Sequence, residues 1–263
     1  MPELPEVESV RRQLASQLPG RRVTHVEAEP QRRFLGLDRL PGRRILSVGR
    51  RGKFLMCPLD EDLELILHLG MTGSLRFDER DAYARAVLHL DDERSLVFRD
   101  PRRFGRVAVV LAGDHTAVPM LTCLGPEPLT DDFRPEGFAR ALARTRAPVK
   151  AALLSQRLVA GVGNIYADEA LWRAGIHPAS RRVGRERAHR LHAEIRSVLT
   201  EAIEREGTTF RDYQLVNGES GRNGAFLEVY GRHGEPCARC GTELRRLVIT
   251  GRGTTYCPSC QRP

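Results

Sequence analysis

The sequence predicts an α+β protein in several domains: an N-terminal antiparallel β-sandwich with flanking helices, then a helical domain, then a small hairpin built on four cysteines. Three features predict this. Short strand-like apolar runs fill the first half, helix-period apolar stripes fill the second, and a Cys-x2-Cys pair occurs twice near the C-terminus. A chain of 263 residues fits two or more domains of ordinary size, at roughly 100–200 residues each. The expected boundaries are 1–130, 131–224 and 225–263.

After the Pro-rich start, Val7, Val10, Leu14 and Leu18 recur at helical spacing until Pro19 and Gly20 end the run, so a short amphipathic helix opens the fold. From Arg22 to Ala112 the runs RVTHVEAE, RILSVG, KFLMCPL, LELILHL, AVLHL, SLVF and RVAVVLA read as strands separated by Gly, Pro and Asp. Residues 117–134 carry Pro119, Pro126, Pro128 and Gly125 and read as a linker. Beyond it, EGFARALARTR, KAALLSQRL, NIYADEALWRAG and 185–206 read as helices, the last with Ala188, Leu191, Ile195, Val198 and Ala202 on one face. LRRLVITGRGTTY reads as two short strands turning through Gly251, Arg252 and Gly253.

The net charge is +8, and +7 of it lies after Thr130. A basic excess concentrated in one part of a chain is the footprint of a polyanion binder, because affinity for a phosphate backbone comes largely from counterion release. Of the 42 basic residues all but Lys53 and Lys150 are Arg, an excess that suits bidentate phosphate contacts but fits genomic codon bias better, and that leaves few side-chain amines as nucleophiles. No apolar run approaches the ~18 residues of a membrane helix, so no membrane partner is expected. The acidic start also lacks the basic-then-apolar order of a secretory signal, and a cytoplasmic protein is expected.

Cys237, Cys240, Cys257 and Cys260 have the spacing of a four-cysteine zinc ribbon, each Cys-x2-Cys knuckle supplying two thiolates to one tetrahedral ion. Two disulfides or two redox pairs are the alternatives, and a reducing compartment disfavours both. One structural Zn2+ would hold together a module too short to be stable by burial alone. Cys57 and Cys123 have no partner at comparable spacing and are expected to be buried and inert.

Removal of Met1 would expose Pro2 as a secondary amine. An α-amino group has a pKa of ~7.7–8.0 against ~10.4 for lysine, so part of it is neutral and nucleophilic near neutrality. Such an amine can form an iminium with an aldehydic carbon, and Glu3, Glu6 and Glu8 follow closely enough to move protons. The same residues equally suit a helix start whose acidic first turn complements the dipole. On these residues alone the helix-start reading is the better one.

Six blocks decide between them. MPELPEVE at the start, HLGMTGSLR at 68–76, DPRRFG at 100–105, AGVGNIYADEALWRAGI at 160–176, VYGRHGEPCARCG at 229–241 and GRGTTYCPSCQ at 251–261 resemble formamidopyrimidine-DNA glycosylase, in the right order and over the whole chain. The resemblance implies a bifunctional glycosylase and AP lyase that removes oxidised purines, such as 8-oxoguanine and formamidopyrimidines, in base-excision repair. Its partner would be double-stranded DNA carrying oxidised bases or abasic sites, and its helical domain would contain a helix-two-turn-helix element. The family implies a monomer in the cytoplasm, associated with the nucleoid through DNA.

Carried over residue by residue, Pro2 matches the nucleophile and Glu3 the carboxylate that moves protons at the sugar. Lys53, His68, Asn164 and Arg252 match phosphate-contacting positions, and Arg103 a further DNA contact. Met71, Arg102 and Phe104 match the side chains that fill the space left by an extruded nucleotide, with Arg102 facing the orphaned cytosine; extrusion requires such a wedge. Glu6 and Glu169 match acidic residues near the nucleophile. Asn217, Gly218, Glu219, Ser220, Gly221, Arg222, Asn223 and Gly224 match a mobile loop over the lesion, where glycines permit closure. At Arg157 the family often has lysine, so a role needing a titratable amine there is not expected. The competing readings are an endonuclease VIII-like glycosylase for oxidised pyrimidines, against which Leu4, Met71 and DPRRFG count, a non-catalytic zinc-ribbon DNA-binding protein, and a redox protein built on the Cys pairs.

Overall fold

The computed structural model describes residues 1–209 and 213–262. They form two compact units, Met1–Thr122 with Arg205–Gly224, and Cys123–Glu204 with Ala225–Pro263. Compactness thus cuts across the three expected segments: 205–224 packs with the first unit, and the cysteine hairpin with the helices.

In the first unit, α1 (Leu4–Ala15) starts on a reciprocal cap: the Glu3 carboxylate accepts from the Glu6 N–H and the Glu6 carboxylate accepts from the Glu3 N–H. Val7, Val10 and Leu14 are its buried stripe. β1 (Val23–Ala28), β2 (Phe34–Leu35), β3 (Gly49–Arg51), β4 (Phe54–Pro58), β5 (Leu63–His68), β6 (Ser74–Phe77), β7 (Ala84–Leu90), β8 (Ser95–Arg99) and β9 (Arg106–Leu111) follow. They pair as a four-stranded sheet in the order β1-β7-β8-β6 and a five-stranded sheet in the order β2-β9-β5-β4-β3. Val10 and Leu14 of α1, Leu88 and Phe98 of the first sheet, and Leu65, Leu67 and Val107 of the second share one core. The sandwich is antiparallel except that β2 runs parallel to β9.

Two details differ from the sequence reading. RILSVG is not a strand: Arg44 and Ile45 make only isolated bridges to Arg22 and Leu59, and pairing begins at Gly49. SLRF, read only as part of a motif, is β6 on the sheet edge. The 117–134 segment is better packed than a bare linker, with α2 (Pro119–Thr122) in it and Val118, Leu121 and Phe133 buried. Cys57 is buried and its thiol is pushed up to about 12 by that burial, which leaves it inert. Cys123, expected to be buried, is exposed, because it follows α2 on this surface segment.

The second unit holds α3 (Pro135–Ala143), α4 (Val149–Leu154), α5 (Asn164–Arg173), α6 (Arg185–Glu204) and a hairpin of β10 (Arg245–Ile249) and β11 (Arg252–Tyr256). The stripe on α6 is buried as its spacing predicts. Every residue of α5 from Ile165 to Trp172 is buried, so α5 is the central helix. Its Trp172 packs with Val229, Leu244, Cys237 and Cys257, joining the cysteine module to the helices. Among the described residues no helix is long and apolar enough to cross a membrane.

Candidate active site

Pro2 is buried at the entry to α1. The reciprocal cap fixes its neighbour: Glu6, only 1 % exposed, receives the Glu3 N–H at 2.7 Å on one oxygen and the Thr208 N–H at 2.7 Å on the other. The Tyr213 hydroxyl donates to the Glu6 carbonyl at 3.1 Å. Within the first unit, one carboxylate therefore ties the residue beside Pro2 to the 205–224 segment.

The glycine-bearing loop is ordered on that segment. Asn223 donates its N–H to the Gly207 carbonyl at 2.9 Å and its amide to Thr208 at 3.0 Å, and Gly221 donates to Thr209 at 2.9 Å. At Gly221 a side chain is excluded by close approach, since a Cβ would stand 2.4 Å from the Gly207 carbonyl oxygen. Asn217 and Glu219 hydrogen-bond one another at the tip. Ser220, Arg222 and Gly224 lie on the same stretch, Arg222 pairing with Glu206.

Met71 and the Arg102–Phe104 side chains come from two loops held backbone to backbone. Gly70 has φ 65°, and a Cβ there would lie 2.6 Å from the Phe104 carbonyl carbon, so the contact requires glycine. Asp100, 1 % exposed, accepts from the Thr72 hydroxyl at 2.7 Å, the Gly105 N–H at 2.6 Å and the Arg102 N–H at 3.3 Å. Phe104 remains 43 % exposed, with the Arg102 guanidinium 5.1 Å from its ring centroid. An exposed phenylalanine on a rigid platform is suited to insertion between bases. Arg103 pairs instead with Glu29 at 3.1 Å.

Lys53 and His68 stand at one end of the five-stranded sheet, where Phe54 pairs with His68 and the two rings lie 4.6 Å apart. His68 Nδ1 accepts from the Gly70 N–H at 3.1 Å, which leaves Nε2 as the donor of the neutral ring. Burial, together with the charges of Lys53, Arg106 and Arg33, holds its pKa down to about 4, so the ring is neutral near pH 7.

In the second unit α5 carries the expected residues and organises their surroundings. Asn164, in its first turn, donates to the Gly253 carbonyl at 3.2 Å and to the Tyr230 hydroxyl at 3.4 Å. Glu169 accepts three N–H groups, from Glu228, Val229 and Tyr230, at 2.9, 3.0 and 2.8 Å. Burial pushes its carboxyl up, and those donors pull the other way. Arg252 is exposed at the start of β11. The strand behind it is held by a pair that sequence reasoning missed: Lys150 Nζ lies 2.6 Å from Asp168, 2.8 Å from Thr254 Oγ1 and 3.3 Å from the Gly253 carbonyl, while Asp168 accepts the Thr255 N–H at 3.0 Å. Its one signal in the sequence was that Lys150 is one of two lysines in an arginine-rich chain. Asp100 and Tyr230, also missed, lie inside or beside the recognised blocks but were not separable from their neighbours by spacing.

The four thiols converge, with all Sγ atoms within 4.8 Å of one another. Cys240–Cys257, Cys240–Cys260 and Cys237–Cys260 Sγ separations are 3.5, 3.4 and 4.0 Å. A tetrahedron with Zn–S bonds of about 2.3 Å has edges of about 3.8 Å, so the donor set fits one structural zinc and excludes two independent redox pairs.

Residues 1–107 match the formamidopyrimidine-DNA glycosylase N-terminal domain, 124–214 the formamidopyrimidine-DNA glycosylase H2TH domain, and 234–263 a zinc finger found in FPG and IleRS. The formamidopyrimidine-DNA glycosylase of Thermus thermophilus is 48 % identical, covering 99 % of this chain and 98 % of that protein. That of Deinococcus radiodurans is 44 % identical over 99 % and 97 %. The crystal structure of MutM (Fpg) from Thermus thermophilus superposes with a TM-score of 0.95 at 47 % identity, over 99 % of this chain and 98 % of that one. A Lactococcus lactis Fpg variant in complex with Fapy-dG-containing DNA gives 0.92 at 36 % identity over the full length of both chains. Shared sequence over essentially the whole length, with the same fold and the same ribbon, places this chain in the formamidopyrimidine-DNA glycosylase family.

Proposed function

We propose that the chain is a bifunctional DNA glycosylase and AP lyase of base-excision repair that removes oxidised purines, such as 8-oxoguanine and formamidopyrimidines, from duplex DNA. The observation that carries the reading is the start of α1, where a buried Pro2 precedes a Glu3 whose backbone is clamped by Glu6. With Met1 removed, the neutral Pro2 nitrogen attacks C1′ of the damaged nucleotide. The glycosidic bond breaks and its electron pair leaves with the base, which takes up a proton. Glu3 moves protons at the sugar as the ring opens to a protonated Schiff base. Loss of a C2′ proton then expels the 3′ phosphate, a second elimination expels the 5′ phosphate, and a one-nucleotide gap with phosphates at both ends remains.

The other residues bind and orient. Lys53, His68, Arg103, Asn164 and Arg252 hold backbone phosphates, and His68 does so as a neutral Nε2–H donor. Met71, Arg102 and Phe104 occupy the vacated stack, residues 217–224 cover the extruded base, and Glu6 and Glu169 position backbone, the one at Glu3 and Thr208 and the other at Glu228, Val229 and Tyr230. The bound zinc contributes fold, holding the hairpin that bears Arg252. In functional terms the chain divides as first read, into a catalytic segment 1–130, a helix-two-turn-helix segment 131–224 with the lesion loop, and a zinc finger 225–263. It acts as a cytoplasmic, nucleoid-associated monomer. The Lactococcus relative is solved with DNA containing Fapy-dG and with abasic-site DNA, which supports the same substrates here.

The test is borohydride trapping of Met1-free protein on a duplex with 8-oxoguanine opposite cytosine, beside a thymine-glycol duplex, with the linked residue identified by mass. Trapping at Pro2 with the purine lesion preferred is expected. Preference for thymine glycol moves the chain to the endonuclease VIII-like reading, and tight binding without trapping makes it a non-catalytic DNA-binding protein.

A further inference from the structure

The register of the five-stranded sheet lines up four basic side chains at one of its ends. Phe54 pairs with His68 and His68 pairs with Arg106, while Phe34 pairs with Val107. Lys53, His68, Arg106 and Arg33 therefore stand on or just beyond the adjacent strands β4, β5, β9 and β2. With strands ~4.8 Å apart the row is about 14 Å long, enough to face several phosphates of a DNA strand that rises ~3.4 Å per nucleotide. It ends beside the exposed Phe104, over which the Arg33 guanidinium lies at 5.5 Å.

Among the described residues Arg106 and Arg33 have no carboxylate partner, unlike several arginines of the same unit. In the same unit Arg85 and Arg103 pair with Glu29, Arg94 with Asp92, and Arg99 with Asp81. Among the described residues the half-buried Arg106 guanidinium makes no hydrogen bond or ion pair, and that of Arg33 donates only to the Arg103 carbonyl at 3.4 Å. Two partly desolvated like charges held side by side are unfavourable unless an anion joins them. Burial and the nearby Arg33 charge depress the Arg106 pKa, in keeping with that crowding.

We propose that Arg106 and Arg33 extend the Lys53–His68 position into a rail, three cationic side chains and the neutral His68 Nε2–H donor, that grips successive backbone phosphates of duplex DNA beside the wedge. The inference rests on the DNA-repair reading above and adds two binding residues to it. A phosphate contact carries no sequence information, so the rail holds damaged and undamaged duplex equally.

The test measures Kd against salt concentration for the wild type, Arg33→Ala, Arg106→Ala and Arg106→Lys, on undamaged and 8-oxoguanine duplexes. Arg12→Ala, which removes an exposed arginine paired with Glu8, controls for net charge. Each alanine variant of the rail is expected to lower the slope of log K against log salt by about one, equally on both duplexes. Arg106→Lys retains the slope and Arg12→Ala leaves it unchanged. An unchanged slope for both Arg33→Ala and Arg106→Ala, or a loss confined to the damaged duplex, overturns the rail while leaving the repair function intact. Failure of the wild type itself to bind and trap on damaged DNA overturns the repair reading and the rail with it.

Discussion

The Thr72 hydroxyl donates to the buried Asp100 carboxylate at 2.7 Å, joining the turn that carries Met71 to the loop that carries Arg102 and Phe104. The consequence is that side chains from two loops move as one block. Thr72→Val keeps the shape but leaves that Asp100 oxygen with only the 3.3 Å Arg102 N–H. A buried carboxylate deprived of a donor costs about 1–3 kcal/mol, to be read as a lower urea midpoint. Base excision from a fully paired duplex should slow by about tenfold, with a smaller effect on cleavage of a preformed abasic site. Equal slowing of both reactions would assign Thr72 to general stability instead.

Glu6 is tested by a smaller change. Its two oxygens accept from Glu3 and Thr208, so Glu6→Gln turns an NH2 toward an N–H on one side. The expected cost is about 1–3 kcal/mol of stability, together with a fall in borohydride trapping at Pro2, because the mismatch lies next to the proposed nucleophile. Wild-type trapping by this variant would show that the cap is not needed to place Pro2.

Periodicity made α1, α6 and most of the sandwich legible, since Val10 and Leu14 or Leu191 and Ile195 repeat only if one helix face is buried. It failed at RILSVG, whose alternation is right but whose backbone bridges to Arg22 and Leu59 singly; tertiary pairing, not local pattern, decides a strand. The cysteines were legible from spacing because tetrahedral ligation constrains it. Asp100, Asp168 and the Arg33–Arg106 neighbourhood were not, because Thr72, Lys150 and Arg33 stand well away in sequence from the residues they meet and only the folded chain brings them together. The 205–224 segment was read with its sequence neighbours, whereas Glu6 and Tyr213 tie it to α1.

The Lys150–Asp168 pair is fully enclosed, at 0 % and 1 % exposure of the two side chains. Burial raises the Asp168 pKa, with the Lys150 ammonium acting against it, so neither charge is tolerable without the other. Lys150→Met should cost about 3–5 kcal/mol, whereas Lys150→Met with Asp168→Leu should recover most of the loss. Trp172, the only tryptophan, lies on the same helix as Asp168 and reports the unfolding directly. A double variant as unstable as the single one would mean that the hydrogen bonds to Gly253 and Thr254 matter more than the charges.

Zinc removal tests the thiol cluster. Titrating the thiols with a mercurial should release one zinc per chain, change the Trp172 emission through its packing on Cys237 and Cys257, and weaken DNA binding by at least about tenfold as the hairpin bearing Arg252 loses its fixed form. Release of no metal, or unchanged DNA affinity after its release, would separate the ribbon from binding.

His68 gives the pH dependence. Its pKa is held down to about 4 in the folded chain, against ~6.5 when unfolded. Above ~6.5 neither state is protonated there and the residue adds no pH dependence. As the pH falls below that value the unfolded chain takes up a proton that the folded chain refuses, so stability is lost progressively until about 4, where both are protonated. The wild type should therefore lose stability relative to His68→Gln between about pH 6.5 and 4 and track it above pH 7, as followed by urea unfolding across that range. Arg106→Ala removes one of the like charges that depress the imidazole and should move its NMR titration midpoint upward. A midpoint near the ordinary histidine value in the wild type would mean that the ring is solvated, and would remove the expected loss of stability between about pH 6.5 and 4.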